Sequence, residues 1–138
     1  MFSNPSDNIL TDLLRKAKRI AVVGLSPNGE RASNRVAKYL QGQGYEIIPI
    51  NPAYPEILGE KSLPDLKSIV GAIDIVDVFR SPETTVPIAH DAVEIGAVVI
   101  WFQEGVINEE AAEVASEGGL TVIMDRCIYK EHRRLIGA

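Results

Sequence analysis

Residues 19–52 read RIAVVGLSPNGERASNRVAKYLQGQGYEIIPINP. The two ends of this stretch, 19–24 and 45–50, are runs of β-branched and other apolar residues without strict polar alternation. Such runs mark strands covered on both faces, as in a parallel sheet. Between them, residues 33–43 set Val36, Ala37 and Leu40 on one helical stripe, and Gly42 to Gly44 end it. Two parallel strands joined by a helix require a right-handed crossover, so the stretch is one βαβ unit.

The pattern continues outward. Residues 74–79, 97–102 and 120–124 have the same strand character. Pro82 and Glu83 suit the first turn of a helix that runs to about Ile95, with Gly96 as its stop. Asn108 is placed to cap the next helix, with Glu109 and Glu110 in its first turn and Gly118 and Gly119 at its end. Residues 8–18 carry Ile9, Leu10, Leu13, Leu14 and Ala17 at helical spacing, and residues 128–135 read as a basic closing helix. Pro52, Pro55, Gly59 and Pro64 break the pattern over residues 51–73, where residues 60–63 could add a short edge strand. The expected fold is α/β: a Rossmann-like, doubly wound, mainly parallel sheet of five or six strands with helices on both faces, in one domain over residues 1–138.

Composition narrows the function. The chain has 138 residues, a net charge of −5, 46% hydrophobic residues and one cysteine. A chain this long buries roughly two thirds of its unfolded surface and needs no metal or disulfide staple. Cys127 has no partner within the chain, which fits a reducing cytoplasm. The longest run free of polar residues is eight, residues 95–102, against the roughly 20 of a membrane-spanning helix. The opening MFSNPSDNIL lacks the plan of a secretory signal, so a cytoplasmic location is expected. The negative balance argues against general nucleic-acid binding, which rests on neutralising phosphates.

In an open parallel sheet, ligands lie beyond the carboxyl ends of the strands. Five segments occupy those ends: residues 24–28, 51–52, 79–82, 103–105 and 125–127. The first loop follows a strand and opens a helix, so its amides can meet a phosphate. It is not a dinucleotide fingerprint: Gly24 and Gly29 fit the outer glycines of G-x-G-x-x-G, but Ser26 stands at the middle one. Asn51-Pro52 also replaces the acidic residue that would hold a ribose, which disfavours NAD. Glu30 and Arg31 stand where a P-loop needs lysine and a hydroxyl, which removes the main support for nucleotide triphosphate hydrolysis. Arg31, Arg35, Lys38 and Arg80 offer an anion clamp on an acidic protein. Phe79, Pro82, Trp101 and Phe102 could wall a ligand, although strand alternation sends Trp101 and Phe102 to opposite faces and makes at least one of them, most simply Trp101, ordinary core.

The ordered series AVVGLSPN, RASNRVAKYL, IPINP, ILGEKSLPDL, DIVDVFRSPE, WFQEGVINEEAA and VIMDRCIYKEHRRL runs from about Ile9 to Leu135. With it the chain resembles the small stand-alone coenzyme A (CoA)-binding proteins, and the CoA-binding domain of the succinyl-CoA synthetase alpha subunit. The resemblance implies that Gly24, Leu25, Ser26 and Asn28, with Arg31, Ser33 and Arg35, meet the pyrophosphate and the start of pantetheine. It places Asn51 and Pro52 beside the adenosine, Phe79, Arg80 and Pro82 along the nucleotide and phosphates, and Gln103 and Gly105 along the pantetheine arm. The synthetase domain has a lysine shortly after its second-strand proline, whereas this chain has Ala53 and Tyr54. Recognition of the 3′-phosphate would then fall to Arg35 or Arg80. The synthetase's phosphorylated histidine belongs to a further domain, so ligase activity is not implied.

Other residues have plainer readings. His90 and His132 have no partner at metal-ligand spacing, and no metal site is expected. Asp74 and Asp77 lack the acidic pair of a phospho-acceptor, which leaves Asp77 as a hydrogen-bonding residue. Cys127, beside Arg126, could be a bystander or could form a mixed disulfide with CoA. Glu109, Glu110, Glu113 and Glu117 read as a solvated helix face, as do Lys130, Arg133 and Arg134. No catalytic constellation is evident. The expected function is a nucleotide-binding protein for CoA or acyl-CoA, acting as a non-catalytic carrier, sensor or regulatory module. The alternatives are an NAD(P)- or acyl-CoA-dependent enzyme working in the same crevice, with Cys127 the first suspect, and a regulatory subunit docking a protein through its acidic helix.

Overall fold

Five parallel strands form the central sheet: β1 (Arg19–Val23), β2 (Glu46–Ile50), β5 (Ile75–Val78), β6 (Val99–Phe102) and β7 (Thr121–Ile123). The computed structural model describes residues 2–137. The strand order is β2-β1-β5-β6-β7, so the chain leaves β1 toward one edge and returns on its other side. The switch point therefore lies between β1 and β5.

Among the described residues, five α-helices cover the sheet: α1 (Asp7–Lys16), α2 (Ala32–Gly42), α3 (Thr85–Glu94), α4 (Glu109–Glu117) and α5 (Ile128–Leu135). Alternation along each strand makes two cores. Ile20, Val22, Val99 and Trp101 pack with Leu10, Leu14, Leu40 and Ile128 from α1, α2 and α5. Ala21, Val23, Ile100 and Phe102 pack on the other face with Ala89, Ala92, Ala111 and Ala115 from α3 and α4. Small residues on α3 and α4 let these helices sit close to the sheet and to each other. The expected caps form: Asn108 Oδ1 accepts from Ala111 N at 3.0 Å, and the Ser6 hydroxyl accepts from Ile9 N at the start of α1.

Three expectations change in detail. The helix after Pro82 begins as a 3-10 turn, Pro82–Thr84, before α3 takes over. The edge strand is a separate two-stranded hairpin, β3 (Glu56–Ile57) with β4 (Glu60–Lys61), tied to the main sheet by a single parallel bridge between Ile50 and Leu63. Trp101 and Phe102 are both fully buried, one in each core, so neither walls a ligand. The Trp101 indole N–H is satisfied by the Arg126 carbonyl at 2.9 Å, which keeps that burial favourable by a few kcal/mol. Among the described residues, no helix is long and apolar enough to cross a membrane.

Candidate functional site

The residue that opens the site is Gly24. Its φ is +86°, and a Cβ there would overlap the Phe79 carbonyl oxygen. The backbones of the β1 and β5 ends can approach this closely only because no side chain intervenes. The loop that follows is held from within α2. Ser26 N donates to Ser33 Oγ at 3.0 Å, and Asn34 Nδ2 donates to the Ser26 carbonyl at 2.8 Å. Asn51 Nδ2 reaches across from β2 to the Leu25 carbonyl at 3.0 Å. Within the loop, Asn28 Oδ1 accepts from Glu30 N at 2.9 Å.

This bracing aims the start of α2 outward. Its first residues have no side-chain cap, and among the described residues the amides of Ala32 and Ser33 have no acceptor. Both residues line a cavity of about 530 Å³ at the carboxyl edge of the sheet, together with Gly24, Ser26, Arg31, Arg80 and Ser81. Its other walls are Val36, Phe79, Gln103, Glu104, Val106 and Cys127. Neither Arg31 nor Arg80 is paired with a carboxylate among the described residues. Glu104, on the far wall, is held by Lys130 at 3.0 Å. Open amides at a positive helix end, with two free guanidinium groups beside them, form an anion-accepting corner.

Beneath Gln103 lies Asp77, fully buried on β5 between Val22 and Trp101. Gln103 Nε2 donates to its Oδ1, and its Oδ2 has no partner among the described residues. Burial pushes the Asp77 carboxyl up to about 8, and the hydrogen bond from Gln103 opposes this only in part.

Of the residues singled out from sequence, Gly24, Ser26, Arg31, Ser33, Phe79, Arg80 and Gln103 come together on the cavity. Others stand apart from its walls. Leu25 is fully buried in the core, and Asn28 and Arg35 are exposed. Pro82 accepts from Asn108 Nδ2 at 2.9 Å, and the Gly105 amide donates to Asp125 at 2.8 Å. Asn51 and Pro52 line a second hollow with Tyr54, Pro55, Ser62 and Pro64. With Trp101 and Phe102 in the core, Phe79, Val36 and Val106 supply the apolar wall. Sequence reasoning missed Val36, Ser81, Glu104 and Val106 as wall residues and Asn34 as a brace. Asn34 was detectable as a short amide side chain in the first turn of a helix, a position suited to bonding nearby backbone.

Arg133 and Arg134 of α5 are occupied elsewhere. Arg134 bonds Asp7 at 2.8 Å and Glu131 at 2.7 Å, and Arg133 bonds the Tyr129 hydroxyl at 3.0 Å. His132 is buried against Tyr39, whose hydroxyl lies 2.7 Å from its Nδ1, and burial holds its pKa below the usual histidine value. Glu109, Glu110, Glu113 and Glu117 are exposed along α4.

The sequence and the fold have known relatives. A family model described as a CoA binding domain matches residues 18–133. Protein YneT of Bacillus subtilis is 49% identical, over 94% of this chain and 96% of that protein. The ADP-forming acetate–CoA ligase I of Archaeoglobus fulgidus is 32% identical over 80% of this chain, which spans only 18% of that enzyme. A protein of Pyrococcus horikoshii superposes with a TM-score of 0.94 at 39% identity, covering 99% of each chain. Matched from β1 through α5, and built around an anion-accepting switch point, the chain belongs to the CoA binding domain family.

Proposed function

We propose that the cavity between the ends of β1, β5 and β6 binds coenzyme A or an acyl thioester of it, and that the protein acts as a carrier or sensor of that ligand. The observation that carries this reading is the anion corner: the open amides of Ala32 and Ser33 flanked by Arg31 and Arg80. The pyrophosphate would sit there, with Arg80 better placed than Arg35 to favour the 3′-phosphate, since Arg80 lines the cavity. Gln103 would meet the pantetheine arm. The ionisable side chains on the walls are Arg31, Arg80, Glu104 and Cys127, and Glu104 is engaged by Lys130, a set suited to holding a ligand more than to acid and base chemistry. The free thiol is in keeping with a reducing cytoplasm.

Calorimetric titration with CoA, CoA lacking its 3′-phosphate, NAD and NADP tests the reading. CoA should bind more tightly than the other three. Binding of NAD at least as tight as that of CoA would refute it.

A further inference from the structure

We infer that Cys127 is a thiol–disulfide exchange site for the thiol end of the ligand held in this cavity; the inference rests on the CoA reading above and extends it to chemistry. Cys127 follows β7, is half-buried, has no cysteine partner and lines the same cavity as Gly24 and Arg80. From the anion corner at β1 and β5, the cavity crosses β6 to reach it. Three strand spacings separate β1 from β7, about 14 Å, the order of an extended pantetheine arm.

A second observation, independent of the thiol, marks the path between. Gln103 is only 5% exposed and lines the cavity. One end of its amide is held by Asp77, and the other has no protein partner among the described residues. A mostly buried amide anchored from below on a cavity wall leaves its carbonyl oxygen free to accept from a ligand amide. Pantetheine carries two amides between its phosphate and its thiol. With its phosphates at Arg31 and Arg80 and an amide at Gln103, such a ligand directs its sulfur toward Cys127.

The step needs no oxidant beyond the disulfide form of CoA. The Cys127 sulfur, as thiolate, attacks one sulfur of the CoA disulfide. That S–S bond breaks, a new one forms between Cys127 and the bound CoA, and the second CoA leaves as a thiolate that takes up the proton Cys127 gave up. One disulfide is consumed and one is made.

Intact-mass and peptide analysis of the reduced protein after incubation with CoA disulfide tests this. One CoA per chain should appear on Cys127 and be removed by dithiothreitol. It should form about tenfold faster than the adduct with cystamine, which has no phosphates to position it. Excess of a CoA analogue lacking the thiol should remove that advantage, and Arg80→Ala should slow the CoA adduct and shrink its advantage over cystamine. An adduct no faster than that of cystamine, or unaffected by the analogue, overturns the proposal. Absence of an adduct while calorimetry records binding of reduced CoA overturns it and leaves the binding function standing. Absence of both removes the two together.

Discussion

The two ends of β5 treat their polar groups in opposite ways. At the amino end, Asp74 Oδ2 accepts from the backbone N–H groups of Lys18 and Arg19 at 2.8 and 2.9 Å. Arg19 in turn donates to Glu46 at 3.1 Å and to the carbonyls of Val70 and Ala72 at 3.1 and 2.9 Å. At the carboxyl end, Arg80 has no side-chain partner among the described residues, and the amides of Ala32 and Ser33 beside the same cavity are open. Both ends carry arginine, but only one satisfies it from within. Polar groups that a fold leaves unmatched at one edge are those available to a ligand, while the matched edge contributes to stability.

The largest effect should come from closing the gap between the β1 and β5 ends. Gly24→Ala places a Cβ on the Phe79 carbonyl and imposes a positive φ on an L residue. It should cost about 3 kcal/mol of stability in urea denaturation. A loss under about 1 kcal/mol would mean that the ends separate freely. The next test sets the two arginines against each other. Arg80→Ala should weaken CoA binding by about 1.5 to 3 kcal/mol with stability almost unchanged, whereas Arg19→Ala should cost about 1 kcal/mol of stability and leave affinity alone. The reverse pattern would erase the distinction between the two edges.

Asp77 sharpens the comparison from inside the sheet. Folding raises its pKa from 3.8 to about 8, so the native state holds a proton that the unfolded chain has lost. The contribution of Asp77 to stability should therefore be greatest below pH 4, fall as the pH rises toward about 8, and level off above. Asp77→Asn should remove this decline and stabilise the protein at pH 7 by about 1 to 2 kcal/mol, as read from denaturation midpoints at pH 5 and pH 8. An unchanged pH profile in that variant would place the charge elsewhere. The smallest effect belongs to Arg35, exposed and away from the cavity walls: Arg35→Ala should change CoA affinity by less than about 0.5 kcal/mol. A larger loss, confined to ligands with the 3′-phosphate, would move that contact from Arg80 to Arg35.

The sheet was legible because parallel strands buried on both faces leave continuous β-branched runs, and all five strands lie within two residues of their expected bounds. Helix ends were legible where a single side chain decides them, as Asn108 does for α4. The β3–β4 hairpin was not, because two-residue strands held by the bridge of Leu63 to Ile50 have no local period to read. Toward the site, legibility falls with distance in the chain. The glycine and the arginines announce a phosphate loop by their types. The pairing of Asp77 with Gln103, and the place of Cys127 on the same cavity as Arg31, depend on the order of β5, β6 and β7 in space. Asn51 shows the same limit, since it stands at a strand end where a ligand contact is expected but braces the Leu25 carbonyl.

Titration of isotope-labelled protein with CoA, followed through backbone amide resonances, bears most directly on the contrast between the edges. The amides of Gly24, Ser26, Ala32 and Ser33 should move most, and those of Lys18, Arg19 and residues 70–74 should stay in place. Saturating CoA that shifts the second group, or shifts neither, would contradict the account.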